Sequence, residues 1–478
     1  MLDNNLLRSH MFVFVVPVAL AVGCSAPPAR TIHLEAEDAQ LHGPAVATTR
    51  AGFSGTGYVT GFTKPDCRIE WQVSAKAGLY EAKVRYSSPG QQKGFVLVVN
   101  GSKTNGMFQP TDEGFATASA GKIELKNGQN AVAVEQGWGW YEVDYLELVP
   151  AAPSKQPQKP PAVLADPKAT PGAKALYAFL VGRYGSRTLT GQNELPDSEY
   201  ILKTTGKTPA VLGGDLIEYS PSRREHGSDP KDAVEKIIDA ARTGRVVAMC
   251  WHWNAPTGLI DKELTGPGGN KIDARWYKGF MAEATTFDFA KALENKESAD
   301  YRLLLRDIDA IAVQIKKFAD AGVPVLWRPL HEAEGAWFWW GTKGPQAYIK
   351  LWRLMFDRMT KTHGLHNLIW VHNCLSPDWY PGDAYVDVVG ADAYPDDHSD
   401  PLSATWDGLM KWLDGRKPVA LTEFGGVPDL SKMARFGVRW SYFMSWNGTP
   451  LSQSADSVKR SYGSPEALNG DQLPKGWH

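Results

Sequence analysis

The stretch VPVLWRPLHE at 323–332 decides the fold, because an apolar run ends abruptly in basic and acidic side chains. Short apolar runs of this kind are typical of strands buried on both faces. Comparable runs begin at 188, 210, 246, 367, 386, 418 and 438, with helical patterns such as 302–322 and 345–363 between them. Eight buried strands with intervening helices predict a (β/α)8 TIM barrel over residues 172–478. A doubly wound sheet would show the same alternation, but no unit opens with GxGxxG.

Two glutamates stand where barrel strands are expected to end. Glu332 closes the fourth run, and Glu423 lies in LTEFG (421–425) at the end of the seventh. Because the carboxyl ends of barrel strands share one face, the two carboxyl groups should meet across the barrel mouth. Glycoside hydrolysis requires such a pair, ~5–5.5 Å apart in a retaining enzyme. The charge of one carboxylate would also raise the pKa of the other and keep it protonated.

The segment WRPLHEAEGAWFWWG at 327–341, together with LTEFG, resembles glycoside hydrolase family 26, in which mannanases predominate. The resemblance covers about residues 172–450. It implies a retaining endo-β-1,4-mannanase that hydrolyses mannan, glucomannan or galactomannan by double displacement. It also implies Glu332 as acid/base, Glu423 as nucleophile and no cofactor for catalysis. A mixed-linkage β-glucanase, a β-1,3-xylanase and a non-catalytic glycan-binding protein remain alternatives.

The same resemblance assigns further residues around the two glutamates. It implies that Tyr394 donates a hydrogen bond to the nucleophile and that His331 makes a polar contact beside it. The residues expected to bind substrate are His252 in the subsite of the cleaved sugar, Trp337 and Trp446 as aromatic platforms, and Asp392, which could instead partner a barrel arginine. The neighbouring run at 338–340 is expected in the core. The barrel residues show no HExxH motif, which argues against a catalytic metal.

A second domain precedes the barrel. Residues 31–149 contain short alternating runs punctuated by Gly and Asn, which predict an all-β sandwich. Seven prolines between 150 and 171 predict an extended linker. EAE at 35–37, GYV at 57–59 and GWGWYEVDYLEL at 137–148 resemble carbohydrate-binding module family 35.

This second resemblance implies a structural calcium ion and a sugar site in the module. Carboxylate oxygens are ligands that calcium prefers, and the implied ligands are Glu35, Glu37 and Asp144. The residues implied for sugar binding are Tyr58, Trp138, Trp140 and Asn100. The partner of the whole protein is therefore expected to be a β-mannan polysaccharide.

The amino terminus is typical of an exported protein. Arg8 precedes an apolar run at 11–22, which suits a signal peptide over residues 1–24 and is too short for a transmembrane span. The sequence AVGCS at 21–25 resembles a bacterial lipobox, in which Cys24 would carry a lipid anchor. We expect a protein that is secreted or lipid-anchored at the bacterial cell surface. A net charge of -2 argues against nucleic acid as a partner.

Overall fold

The protein consists of an antiparallel β-sandwich followed by a closed eight-stranded barrel, which confirms the predicted fold class. This architecture is seen in a computed structural model that describes residues 30–474 and 476–477. The expected signal peptide and Cys24 lie outside the described residues. Among the helices that are described, none is long and apolar enough to cross a membrane.

Eleven strands build the sandwich: β1 (Ile32–Glu35), β2 (Gln40–His42), β3 (Ala45–Ala47), β4 (Tyr58–Thr60), β5 (Arg68–Ala75), β6 (Gly78–Ser87), β7 (Lys93–Val99), β8 (Ser102–Phe108), β9 (Ala116–Leu125), β10 (Gly128–Trp138) and β11 (Glu142–Pro150). One sheet has the order β3-β4-β11-β6-β9, with β1 paired to β11, and the other has the order β2-β5-β10-β7-β8. Strand β5 illustrates why the sheets stack. Ile69, Trp71 and Val73 alternate into the core, while Gln72 and Ser74 point to solvent.

The remaining strands are β12 (Thr188–Leu189), β13 (Gly191–Asn193), β14 (Val211–Asp215), β15 (Val246–Trp251), β16 (Lys262–Thr265), β17 (Lys271–Ala274), β18 (Val325–Pro329), β19 (Leu368–Asn373), β20 (Val388–Ala393), β21 (Val419–Phe424), β22 (Phe443–Ser445) and β23 (Ala467–Leu468). The parallel barrel closes in the order β13-β14-β15-β18-β19-β20-β21-β22. Strands β16 and β17 form a hairpin in the long loop after β15, and β12 pairs with β23 outside the barrel.

The helices are α1 (Pro171–Arg183), α2 (Leu195–Thr205), α3 (Pro221–Glu225), α4 (Ala233–Ala241), α5 (Phe289–Glu294), α6 (Ala299–Asp320), α7 (Gly344–Asp357), α8 (Ser403–Leu413), α9 (Leu430–Arg435) and α10 (Ala455–Tyr462). Helix α6 begins at its N-cap Ser298 and buries Leu304, Ile308 and Ile315 on one face. The pattern at 302–322 thus corresponds to α6. The pattern at 345–363 corresponds to α7 and the π-helical turn that follows it.

The first and last barrel strands start later than their apolar runs indicate. The run at 188 forms β12, and the barrel strand begins only at Gly191. Of the run at 438–443, only Phe443 lies in β22. Trp440 instead packs edge-on against Trp406 of α8, with ring centroids 5.1 Å apart. These apolar residues therefore fill the layer between barrel and helices.

The sandwich is docked on the wall of the barrel. The backbone N–H of Lys122 in β9 donates to Oγ of Ser403 (2.7 Å), and its ammonium pairs with Asp407 (2.6 Å), both on α8. The segment at 150–171 lies along the barrel instead of standing free. Its backbone N–H groups at Gln158 and Ala165 donate to Asp414 and Asp387, respectively.

Candidate active site

Glu332 lies in a tight turn just beyond the end of β18. It has a left-handed backbone conformation (φ 52°), which is uncommon for a residue with a side chain. Asn373, at the end of β19, holds this turn because its Oδ1 accepts the backbone N–H of Glu332 (2.9 Å). Oε2 of Glu332 accepts a hydrogen bond from Nε1 of Trp337 (2.8 Å). The carboxyl group is thus aimed by its backbone and by one neighbouring indole.

Glu423 lies within β21 and is buried. Tyr394 donates its hydroxyl to Oε1 of Glu423, and Arg328 donates a guanidinium N–H to Oε2. Burial and the charge of Glu423 raise the pKa of Tyr394, so its hydroxyl stays protonated and remains a donor. Two donors, one of them cationic, therefore bind the two oxygens of the Glu423 carboxyl group and fix its orientation.

The two glutamates meet at the barrel mouth. Ligand oxygens of Glu332, Asp392 and Glu423 all lie within 4.8 Å of one another. Burial raises the pKa of Glu332, and the negative charge of Glu423 raises it further. The Glu332 carboxyl group is therefore biased toward the protonated form, beside a Glu423 carboxyl group that accepts hydrogen bonds from Arg328 and Tyr394. Two carboxyl groups in this state can divide the roles of acid and nucleophile.

Asp392 is an internal ion-pair partner, which corrects its expected role in substrate binding. Its side chain is 3% exposed, and its Oδ2 accepts a hydrogen bond from Arg328 (2.6 Å). Its Oδ1 accepts the hydroxyl of Thr422 (2.7 Å). Arg328 thus joins Asp392 to Glu423, and a buried guanidinium needs such paired carboxylates.

His252 and His331 lie side by side next to the glutamates. Their Nε2 atoms are 3.1 Å apart, and Nδ1 of His252 is 2.5 Å from Oδ2 of Asp215. Burial lowers the pKa of His252, but the charge and hydrogen bonds of Asp215 outweigh burial and raise it overall. Burial, Arg328 and His252 together hold the pKa of His331 well below its usual value. The pair thus consists of one ring that favours a charge and one that is neutral.

Aromatic side chains flank the carboxyl pair on two sides. Trp337 is 46% exposed beside Glu332, where a flat ring can take a sugar face. Trp446 contacts His252 edge-on, with ring centroids 5.6 Å apart. Both line the mouth, and beside Trp446 opens a cavity of about 400 Å³. Phe338, Trp339 and Trp340 are buried, as expected for core residues.

Protein partners already satisfy the groups that could attract a metal ion at the mouth. Arg328 bonds to two of the three clustered carboxylates. Asp215, Cys250 and His252 also lie close together, but the first and last are hydrogen-bonded to each other. The arrangement is suited to acid/base and nucleophilic chemistry by the side chains themselves.

The four residues expected to bind sugar in the sandwich do not form one site. Trp138 and Trp140 are about half exposed. Tyr58 is only 2% exposed: its ring packs edge-on against Phe115 and its hydroxyl lies 3.1 Å from Oγ1 of Thr49, so neighbouring side chains cover it. Asn100 lies in the turn between β7 and β8, whereas Trp138 pairs with the opposite end of β7. Both expectations are therefore corrected, and the two tryptophans remain as the exposed pair.

The expected calcium ligands are only partly brought together. The carboxyl groups of Glu35 and Glu37 meet above Gly55, where an added Cβ would lie 2.3 Å from Oε1 of Glu37 and 3.1 Å from Cδ of Glu35. Oε2 of each glutamate is buried without a protein hydrogen-bond partner. Asp144 differs, because Arg85 bonds to its Oδ2 and the N–H of Ser54 to its Oδ1. The residues present thus suit a cation at the glutamate pair, and Asp144 is corrected to an arginine partner.

The sequence analysis did not single out three residues at the mouth, although each has a sequence feature that indicates its position. Arg328 is a charged residue inside the buried run of β18, which demands an acidic partner. Asp215 and Asn373 end β14 and β19, so applying the strand-end rule to all eight strands would have found them.

Comparison with known proteins agrees with this geometry. The glycosyl hydrolase family 26 model matches residues 165–472, and the carbohydrate-binding module family 35 model matches residues 32–151. A mannan endo-1,4-β-mannosidase of Thermothelomyces thermophilus is 40% identical over 462 residues, which are 96% of this chain and 93% of that protein. Mannan endo-1,4-β-mannosidase A of Piromyces sp is 33% identical over 463 residues, covering 93% of this chain and 73% of that protein.

A solved structure is similar over both domains. The crystal structure of the GH26-CBM35 β-(1,4)-mannanase of Podospora anserina superposes with a TM-score of 0.66 at 40% identity. The match covers 94% of this chain and 99% of that one. The chain therefore belongs to glycosyl hydrolase family 26, as an enzyme whose barrel follows a family 35 carbohydrate-binding module.

Proposed function

We propose that the protein is a secreted, retaining endo-β-1,4-mannanase that hydrolyses mannan, glucomannan or galactomannan. The observation that carries the mechanism is the approach of the Glu332 and Glu423 carboxyl oxygens to within 4.8 Å. A retaining enzyme needs its carboxyl groups ~5–5.5 Å apart, whereas an inverting one leaves ~6.5–9.5 Å for a water. The substrate proposal is supported by the mannanase names of two relatives that match 96% and 94% of the chain.

In the first step, Glu423 attacks the anomeric carbon of the sugar as Glu332 protonates the departing glycosidic oxygen. The carbon–oxygen bond of the glycoside breaks, and an ester bond to Glu423 forms. Arg328 and Tyr394 hold the Glu423 carboxyl group in place through their hydrogen bonds until it attacks. In the second step, Glu332, now a carboxylate, takes a proton from water, and the water oxygen displaces Glu423 from the sugar.

The polysaccharide would lie across the barrel mouth, with Trp337 on one side of the carboxyl pair and Trp446 on the other. Trp337 lies beside the acid and therefore suits the sugar that leaves first. Trp446, His252 and the adjoining cavity of about 400 Å³ suit the sugars that stay bound through the ester intermediate. Sugar rings stack on such flat apolar faces.

The substrate is tested by measuring reducing-sugar release from linear mannan, glucomannan, barley mixed-linkage glucan and β-1,3-xylan. The Glu423→Ala variant is the control for contaminating activity. We expect cleavage of the two mannans that disappears in the variant. Activity on glucan or xylan alone would contradict the substrate, and no activity on any of them would indicate a binding protein.

The two carboxyl roles are tested with leaving groups of different quality. Glu423→Ala should abolish turnover of every substrate, because no ester can form. Glu332→Ala should spare the first step for an activated aryl glycoside, which needs no proton to depart. Equal losses for activated and natural substrates in Glu332→Ala would contradict its role as the acid.

The module is proposed to hold mannan through Trp138 and Trp140 and thereby raise the local concentration of the barrel on the polysaccharide. Replacing both with alanine should weaken retention on insoluble mannan while hydrolysis of short soluble substrates persists. Binding is measured by pull-down on the insoluble substrate. Retention equal to that of the unchanged protein would contradict this site.

A structural calcium ion is proposed at Glu35 and Glu37, whose unpaired buried oxygens are suited to a hard cation. Calcium at 100 times its Kd would stabilise the folded module by about 2.7 kcal/mol. EGTA should therefore lower the melting temperature of the module, and Glu35→Gln should remove that effect. Glu70→Gln, on β5 in the opposite sheet, is the control. A melting temperature unaffected by EGTA would contradict the site.

We also propose the order signal peptide 1–24, module 31–149, linker 150–171 and barrel 172–478. Export is supported by the charged and apolar pattern of the first residues. Cleavage before Cys24 with lipid attachment would anchor the enzyme to the cell surface, and other cleavage would release it. The mass of the mature amino-terminal peptide distinguishes the two, and an uncleaved amino terminus would contradict export by this signal.

A further inference from the structure

A chain of polar groups leads from β14 to the barrel mouth, and the mechanism above gives no role to its first member, Asp215. This residue is the last of β14 and lies opposite Cys250 of β15. Its Oδ1 accepts the backbone N–H groups of Ile217 (2.9 Å) and His252 (3.1 Å). Its Oδ2 faces Nδ1 of His252 at 2.5 Å. Three bonds therefore fix the carboxylate and the ring plane of His252 together.

The second link joins the two imidazoles. Nε2 of His252 lies 3.1 Å from Nε2 of His331, so one nitrogen donates and the other accepts. The rings meet edge-on, at an interplanar angle of 82°. Because a neutral imidazole carries one proton, the direction of this bond decides which nitrogen of His331 is left as a donor. Asp215 can therefore influence His331 without touching it.

We propose that Asp215 is a positioning residue, which fixes the orientation and protonation of His252 and, through it, the tautomer of His331. The inference rests on the proposed glycosidase function of the barrel mouth. Asp215 favours a proton on each nitrogen of His252, so that Nε2–H of His252 donates to His331. The proton of His331 then lies on Nδ1, an atom that has no hydrogen-bond partner in the described structure.

The charges around the histidine pair support this direction. The charged groups that face it are Asp215 from β14, Arg328 from β18, Glu332 just beyond β18 and Glu423 from β21. Burial acts against a charge on His252, and the Asp215 carboxylate outweighs it, so the pKa of His252 is raised. Burial and Arg328 keep the pKa of His331 low. Because the two pKa values are shifted in opposite directions, His252 is the charged donor and His331 the neutral acceptor of the hydrogen bond between them.

The chain offers a matched control for removing the carboxylate. Asp166, in the linker segment, and His366 form the same contact, Oδ2 to Nδ1 at 2.6 Å, outside the active site. Asp215→Asn and Asp166→Asn each exchange one buried carboxylate for an amide. Asp215→Glu is the conservative variant, since it keeps the charge. Melting temperatures show whether each variant is folded.

The test combines kinetics on a soluble manno-oligosaccharide with ¹⁵N spectra of protein labelled at histidine. Loss of a charge-assisted hydrogen bond should lower kcat of Asp215→Asn about tenfold to a hundredfold, with a smaller change in KM. Asp166→Asn should leave kcat unchanged, and Asp215→Glu should recover part of it. In the spectra, the doubly protonated ring of the active-site histidine pair should be lost in Asp215→Asn and retained in Asp166→Asn.

Equal kcat and equal active-site histidine spectra in the two asparagine variants would overturn the inference. If Asp215→Asn is unfolded, the histidine spectra of the unsubstituted protein provide the test. The inference would be overturned if both His252 and His331 were neutral slightly below neutral pH. A protein that cleaves no mannan would refute the proposed function, and the spectra would still test the hydrogen-bond chain.

Discussion

Replacing Trp337 with phenylalanine should shift the pH profile of hydrolysis toward alkaline pH. Nε1 of Trp337 donates to Oε2 of Glu332 at 2.8 Å, and this bond lowers the pKa of the carboxyl group. A hydrogen bond contributes about 0.5–1.5 kcal/mol net. Trp337 is 46% exposed, so water competes, and the lower half of that range applies. At ~1.36 kcal/mol per tenfold change in an equilibrium constant, its loss should shift the protonation equilibrium of Glu332 about twofold to fivefold toward the protonated form.

The sign of the shift follows from the acid role. Glu332 acts in its protonated form, so the alkaline limb of kcat/KM reports its pKa in the free enzyme. Burial and the Glu423 charge already raise this pKa, and the variant removes one contact that lowers it. The alkaline limb should therefore move upward. Phenylalanine keeps an aromatic face for the sugar.

The assay is the initial rate on a soluble manno-oligosaccharide across the pH range. Trp412→Phe is the matched control, because Trp412 lies on α8 and packs against Tyr380 on the outside of the barrel. Its profile should coincide with that of the unchanged enzyme. An unmoved limb in Trp337→Phe, or one shifted toward acid pH, would refute the reasoning.

Three other perturbations have defined outcomes. Arg328→Met leaves two buried carboxylates unpaired and should cost about 3–5 kcal/mol of unfolding free energy; denaturant titration measures this, with exposed Arg275→Met as control. Tyr394→Phe removes a donor from the nucleophile and should lower kcat about tenfold to a hundredfold, measured on mannan. Gly121→Ala should undock the module and split the calorimetric transition, because its Cβ would meet α8; Gly128→Ala, also left-handed but in open space, should not.

The meeting of Glu332 and Glu423 at the barrel mouth was predictable because their placement depends on local sequence and on one topological rule. A buried strand followed by a polar residue places that residue at the barrel mouth, whatever the rest of the chain does. Glu332 and Glu423 satisfy this rule through β18 and β21 alone. The bond between Arg328 and Glu423 joins positions 95 residues apart. No local pattern reports such a pairing, so the sequence shows only that Arg328 needs an acid.

The sugar-binding roles expected for two module residues do not fit the structure, for a different reason. Tyr58 and Asn100 belong to residue types that often contact sugars, but their surroundings decide what they do. Tyr58 is the first residue of β4 and points away from the sandwich core that its neighbour Val59 enters, but Phe115 and the segment at 49–53 cover it. Asn100 has φ 51° in a hairpin turn, a conformation that asparagine tolerates better than most residues. Its turn geometry explains its presence without a ligand.

The linker shows why composition alone does not tell whether an extended segment stands free or is bound to a domain. Its prolines disfavour helix and sheet, which predicts an extended segment, but an extended segment can still be bound along its length. Asp387 and Asp414 on the barrel accept its backbone N–H groups, and Lys122 anchors the sandwich itself to α8. Because the module is bound to the barrel, the length of the linker does not determine how far the module reaches. Its effect on local concentration therefore depends on whether Trp138 and Trp140 and the barrel mouth can meet the same polysaccharide surface, because avidity is lost when geometry forbids simultaneous contact.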